Sequence, residues 1–389
     1  MDPVHNPYTP GAGTRPSALV GRDAELHAID VALQRARIGR ATKSMLLTGL
    51  RGVGKTVLLN EFGRLGEQHG YIHEHVECAE GADLRVIVAL LARTALYRLS
   101  ATRRAAERAR RALGVLKGFT VSFPEGGSIG INVDAVPGPA DTGDTGHDLA
   151  GVFRELGECA AVHDAGVLFT LDELQYLDRS QLGVLIVGLH RIHQLNLPVV
   201  VAGAGLPSMP GLAGEAKSYA ERLFSFPVIG SLDDTSAREA LLRPALDEGV
   251  TWTPPAVRRV VELTQGYPYF LQEFGKHAWE AAPSTPIRLP DVDAATPGAH
   301  AELDHGFFRV RLDRLPDLER AYLGAIASLG VGPHRSGDVA RAMGKTTSRV
   351  GPVRDALLRR GLLWSPRYGE IAFTVPLFDE FLRRNRGRA

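Results

Sequence analysis

Gly49-Leu50-Arg51-Gly52-Val53-Gly54-Lys55-Thr56 is the stretch that decides how this chain is read. An apolar run at 44–48 precedes it. A helical pattern at about 55–66 follows, with Val57, Leu58, Phe62 and Leu65 on one face. Strand, glycine-rich turn and helix, in that order, are the setting a phosphate-binding loop requires. The glycines let successive backbone N–H groups face phosphate oxygens, and the helix start adds its positive dipole end. The expected cradle is Gly49, Arg51, Gly52, Val53, Gly54, Lys55, Thr56 and Val57. Within it, Lys55 reaches the β and γ phosphates of a nucleoside triphosphate and the Thr56 hydroxyl ligates magnesium.

Such a loop needs an acidic partner on a neighbouring strand. The run Val167-Leu168-Phe169-Thr170-Leu171-Asp172-Glu173 supplies one. Asp172, at the carboxyl end of the strand, is the expected magnesium holder, and Glu173 the group that orients or deprotonates an attacking water. A local alternative stands beside this: Asp and Glu also serve as cap and first-turn residue of a following helix. The pair favours ATP hydrolysis over a small-molecule kinase or a GTPase, and no guanine-reading N-K-x-D motif is present.

With 389 residues the chain exceeds what one core fills, and 44% apolar with 23% charged residues matches a soluble globular protein. No run of eighteen apolar residues and no basic-then-apolar N-terminus occurs, so a cytoplasmic protein without membrane contact is expected. Cys78 and Cys159 lack CxxC partners and read as buried thiols. Net charge is +1, yet residues 301–389 hold 16 Lys+Arg against 10 Asp+Glu, a local +6. A basic tail domain suits nucleic acid, and equally an acidic face of its own chain.

Along the chain, residues 1–17 read as an extended arm and 23–39 as a helix. Strands are expected at 71–78, 166–171, 199–202 and 226–229, with one long helix at 84–113 and others at 149–162 and 181–195. Alternating polarity at 119–133 around Glu125-Gly126-Gly127 predicts a hairpin within an insertion at about 115–146, ending in a flexible connector at 135–146. The fold class expected is α/β: a five-stranded parallel P-loop NTPase core at 18–233. Helices at 236–248, 255–265 and 270–281 form a helical lid at 234–296, and the prolines of 283–297 mark a linker.

These motifs resemble the AAA+/STAND superfamily of P-loop ATPases, especially the bacterial and archaeal branch related to origin-recognition initiators. Residues 18–25, ALVGRDAE, resemble its N-terminal box, which implies adenine contacts from Val20, Gly21 and Arg22. Gly266-Tyr267-Pro268 resembles the GxP motif of STAND lids, which implies that Pro268 packs near the base. The implied cofactors are ATP/ADP and Mg2+. One departure stands out: after 199–202 the family places a polar sensor residue, whereas this chain has Gly203-Ala204-Gly205, implying slow hydrolysis. Arg222 sits where such proteins carry an arginine finger for a neighbouring subunit of a homo-oligomer; a solvated helix arginine is the other reading.

Residues 297–389 have the grammar of a winged-helix domain: helices at 317–329 and 336–343, a turn at 344–347, a third helix, and wing strands at 361–364 and 371–373. Pro352 fits best in a first turn, so the third helix is expected to begin after Thr347. If the domain binds double-stranded DNA, Thr346, Thr347, Ser348, Arg349 and Arg354 face the groove or its phosphates, with Arg367 in the wing and Arg383, Arg384, Arg386 and Arg388 adding charge. The alternative is a regulatory module docked on the ATPase or on a protein partner. His73 with His75, and His190 with His193, pair on one face each without a third metal ligand.

Overall fold

The structure, a computed structural model, describes residues 1–100, 106–121 and 130–385. It falls into two units. One is Arg22–Gly49 with Lys55–Val228; the other is Met1–Gly21 with Leu50–Gly54 and Ile229–Ala389.

The first unit is an α/β layer structure. Helix α1 (Asp23–Arg37) buries Ile29, Leu33 and Ala36, and leads to β1 (Ser44–Gly49), whose six residues are all buried. A strand without an exposed face belongs in the middle of a parallel sheet covered on both sides. Then follow α2 (Lys55–Gln68), β2 (Tyr71–Glu77), α3 (Leu84–Leu99), α4 (Ala106–Val121), α5 (Thr145–Val162) and β3 (Gly166–Asp172). The unit continues with α6 (Arg179–Leu195), β4 (Val199–Gly205), α7 (Met209–Ala216), α8 (Ala220–Leu223), β5 (Phe224–Ser225) and β6 (Val228–Ile229). Strand order is β2-β3-β4-β1-β5, with β6 also pairing β1. The chain leaves β1 for a strand three places away, so the carboxyl ends of β1, β3 and β4 border a topological switch point, where open α/β sheets bind ligands.

The long helix expected at 84–113 is two helices, α3 and α4, because Ser100 ends the first with its N–H on Leu96 O; residues 101–105 lie outside the described part. The expected hairpin fails at its start. Residues 119–121 close α4, where buried Val115, Leu116 and Phe119 keep helical spacing. Its apex, Glu125-Gly126-Gly127, is outside the described residues. The expected flexible connector is tied down instead: Val136 N–H donates to Gly114 O, and the Asp148 carboxylate accepts from Thr142 and Gly143.

In the second unit come α9 (Asp234–Asp247), α10 (Pro254–Thr264), α11 (Pro268–Ala281), α12 (Leu289–Glu302), a π-helical stretch (Leu303–Arg309), α13 (Val310–Leu312) and α14 (Asp317–Ser328). The expected linker at 283–297 is therefore half helix. Pro290 sits in the first turn of α12, where no intrahelical N–H is needed, and Val292, Ala295 and Ala299 bury one face. Next are β7 (His334–Arg335), α15 (Ser336–Ala342), α16 (Thr347–Arg359), β8 (Leu363–Trp364), β9 (Glu370–Phe373) and α17 (Phe378–Arg384), with strand order β7-β9-β8. Contrary to expectation α16 starts at Thr347 and carries Pro352 in its second turn. Phe270 on α11 meets Phe308 of the π-helical stretch, which stacks on Phe378 and Phe381 of α17. One aromatic core thus runs from the helices after 234 into the C-terminal segment, and no proline-rich hinge parts them.

The N-terminal arm is not extended throughout: it holds a 3-10 turn at Pro3–His5, and it is anchored. Tyr8 is 2% exposed; its hydroxyl donates to Leu241 O at 2.5 Å and accepts from Trp252 Nε1 at 2.9 Å. Glycine at 275 leaves room for the ring, since a Cβ there would stand 2.7 Å from it. Tyr8→Ala is expected to destabilise this unit by about 3–5 kcal/mol, seen as an earlier denaturant midpoint. An unchanged midpoint would show the arm to be dispensable.

Glu273 on α11 is 2% exposed, with Oε1 3.3 Å from His277 Nε2. Burial pushes its carboxyl from 4.5 up to about 7, against the pull of Lys276 and with the push of Glu302 and Glu280. The folded chain then binds more protons than the unfolded one between these values, so the contribution of this group to stability falls as pH rises through that window. Glu273→Gln is expected to gain on the native protein by about 2 kcal/mol between pH 5 and pH 8. Parallel stability curves for the two proteins would contradict this.

Candidate nucleotide-binding site

Register brings the chemistry to one edge. Thr48 at the end of β1 lies beside Gly205 of β4, and Leu171, just before Asp172, lies beside Gly203. The loop after β1 turns through two left-handed glycines, Gly52 at φ 82° and Gly54 at φ 92°, a backbone that a Cβ would strain. Gly52 is also tight: a Cβ would stand 3.0 Å from the Tyr267 ring. Val53 is buried; Arg51 is half-buried.

Lys55 opens α2, is 7% exposed, and donates from Nζ to Gly49 O at 3.0 Å. Val57 is buried one turn on. The Thr56 hydroxyl donates to Asp172 Oδ2 at 2.5 Å. Asp172 is 3% exposed, and its other oxygen accepts the Glu173 N–H at 2.8 Å. Two hard oxygens, one a buried carboxylate, are thus adjacent at the loop's helix, a donor set that fits magnesium completed by phosphate and water. The local cap reading does not describe Asp172, which ends β3 with its carboxylate turned to Thr56; the next helix is capped by Asp178. Glu173 stands at φ 52°, ψ 41°, the left-handed region uncommon for a non-glycine residue. Burial, and after it the neighbouring Asp172, Glu173 and Glu77, push the Cys78 thiol up to about 12.

The other expected contacts are spread more widely. Val20 and Arg22 are buried, and Gly21 takes φ 65° with Ser236 2.7 Å from where a Cβ would be. Gly266 takes φ 66° against Leu232 O, and its carbonyl accepts the Leu232 N–H at 2.9 Å. Tyr267 is 1% exposed and Pro268 begins α11, half-buried. Arg222 is exposed on the one-turn α8 and forms no ion pair among the described residues.

In the C-terminal segment Thr346, Thr347, Ser348 and Arg349 are exposed at the start of α16, and Arg367 is exposed in the turn between β8 and β9. Arg354 is half-buried, and its guanidinium is held by Asp355 at 2.8 Å. Arg383 and Arg384 pair with Asp379, Asp304 and Glu380, which neutralises part of the basic tail. Arg386 and Arg388 lie outside the described residues. Both His73 and His75 bond Thr170 Oγ1, and among the described residues no group of three His, Cys, Asp or Glu could hold a metal.

Sequence reasoning missed Gln175. It sits in the 3-10 turn Leu174–Tyr176, donates from Nε2 to Glu173 Oε2, and accepts the Leu206 N–H at 3.2 Å.

A parallel sheet with a glycine-rich loop after β1, a Lys-Thr pair opening the helix, and a buried aspartate on the strand two places away form the arrangement of a P-loop nucleotide-binding domain. Residues 18–202 match the family model described as AAA ATPase domain, and residues 305–382 match a domain of unknown function (DUF8462). Similar solved structures include the Walker-type ATPase PABY2304 of Pyrococcus abyssi, at 18% identity and TM-score 0.59 over 97% of this chain and 99% of that one. Others are the Aeropyrum pernix ORC1 protein in complex with DNA (17% identity, 95% and 94% covered, TM-score 0.46) and the Thermotoga maritima RuvB Holliday junction branch migration motor (15%, 96% and 99%, 0.48). No curated protein matches the chain in sequence. No described helix is long and apolar enough to cross a membrane.

Proposed function

We propose that the chain binds ATP with magnesium at the 49–56 loop and hydrolyses it slowly, using the bound nucleotide to switch the state of its C-terminal segment. The observation that carries this is the Thr56–Asp172 pair at 2.5 Å, Thr56 standing in the first turn of the helix that directly follows the left-handed glycines Gly52 and Gly54. Lys55 neutralises the β and γ phosphates, Glu173 orients the attacking water, and Thr56 and Asp172 hold the metal. Bound magnesium supplies charge neutralisation along the phosphate chain. Val20, Gly21, Arg22 and Pro268 are assigned to the adenine side, and Arg222 to a neighbouring copy. The domains proposed are an arm at 1–17, an ATPase core at 18–233, a helical lid at 234–296 and a winged helix at 297–389. The last rests on the order helix, short strand, two helices and two strands, with the α16 start and the β8–β9 turn left exposed. ATP biases such a switch only by its differential affinity for the two states.

Double-stranded DNA is the proposed output ligand, through Thr346, Thr347, Ser348, Arg349 and Arg367. The test is a salt titration with a short duplex, in which binding at low ionic strength falls steeply as salt rises and weakens in Arg349→Ala. Absence of binding at low salt would remove the DNA assignment. A second reading, a STAND-type module that keeps its nucleotide and contacts a protein partner, is favoured by the glycine-ended β4, which offers no polar side chain at 203–205. Single-turnover hydrolysis separates the two, since the second reading leaves ATP intact over hours.

A further inference from the structure

We propose that Gln175 is the positioning residue of the hydrolytic site, aiming Glu173 and tying its carboxylate to the end of β4. The inference rests on the ATPase reading above. Three observations meet at this side chain. Its amide nitrogen donates to Glu173 Oε2, a charge-assisted bond that fixes the carboxylate rotamer. Its amide oxygen accepts the backbone N–H of Leu206, the first residue beyond β4. Glu173 itself is held at φ 52°, a backbone that persists only where its surroundings enforce it.

The glycines at the end of β4 acquire a reason from the same geometry. A Cβ at Gly205 would stand 3.1 Å from Gln175 Oε1 and 2.6 Å from Met209, and a Cβ at Gly203 would run into Leu174 of the same 3-10 turn. The strand end is bare because the turn after β3 lies over it. A polar group still faces this corner of the site, but it comes from position 175. With one side chain bridging Glu173 and Leu206, a shift of the β4 end is passed to the carboxylate through two hydrogen bonds.

Gln175 acts through Glu173, so removing it costs rate and leaves nucleotide affinity alone. Steady-state ATP hydrolysis by the full chain is measured for wild type, Gln175→Ala, Gln175→Glu, Glu173→Gln and the double variant Gln175→Ala with Glu173→Gln. Outer partners of reacting groups typically carry 10- to 100-fold effects. The expected result is a drop in kcat of about tenfold in Gln175→Ala, with KM for ATP within about twofold. Gln175→Glu, nearly the same shape with its donor lost and a repelling charge added, falls at least as far. In the Glu173→Gln background, removing Gln175 has no further effect. Wild-type kcat in both single variants, or losses that multiply in the double variant, would overturn the proposal. So would an equal rise in KM, which marks a general loosening of the site. Absence of turnover in wild type would defeat the ATPase reading together with this one, whereas wild-type turnover that depends on Glu173 but not on Gln175 defeats this one alone.

Discussion

Lys55→Ala is expected to lower ATP turnover by about 100- to 1,000-fold, the scale set by deleting one preorganised charged donor from a site where negative charge develops. The side chain is 7% exposed and opens α2, so in the proposed site its ammonium would act on the phosphates away from competing water. Truncation leaves the backbone N–H cradle intact, and α2 keeps its buried face of Leu58, Leu59 and Phe62. The variant should therefore fold with a near-native unfolding midpoint while nucleotide affinity and turnover both fall. A folded Lys55→Ala protein hydrolysing ATP at the wild-type rate would place the chemistry elsewhere.

Glu173→Gln separates binding from chemistry. The amide keeps the shape of the side chain and can still hydrogen bond, but it cannot accept a proton from water. Loss of a general base is worth about 100- to 10,000-fold. Turnover is expected to drop by at least 100-fold while affinity for ATP holds, because Thr56 and Asp172 are untouched. Rapid-quench single turnovers with labelled ATP read this directly. Equal rates in both proteins would return Glu173 to a structural role.

The residues that carry these expectations were legible because their signals are local. Lys55, Thr56, Asp172 and Glu173 each follow an apolar strand within a few residues, and a strand buried on both faces leaves little choice about where its carboxyl end lies. Thr56 and Asp172 lie 116 positions apart, yet each end carries its own motif; legibility fails where a distant partner has none. Gln175 meets Leu206 across 31 positions, and nothing in the spacing of either announces it. Tyr8 lies in an arm by composition, with proline and glycine around it, yet its hydroxyl spans 244 positions to reach Trp252.

Proline misleads twice, in two different ways. Its missing N–H is harmless in the first turn, so Pro290 opens a helix where composition suggests a linker; Pro352 is carried past the first turn, inside α16. The alternation at 119–133 predicts a strand from its first residue, while Leu116 and Phe119 are spaced for one face of a helix that runs to Val121. The two-residue β7 is too short for any periodicity; only its pairing with β9 reveals it.

All of the proposed chemistry requires a nucleotide with its metal at the loop that ends in Lys55 and Thr56. Isothermal calorimetry of the folded chain with magnesium and ATP, and again with ADP, tests that requirement most directly. Saturable uptake of one nucleotide per chain, strongly weakened in Lys55→Ala, is the predicted result. A folded protein that releases or absorbs no heat with either nucleotide, and whose unfolding midpoint neither one moves, would contradict it.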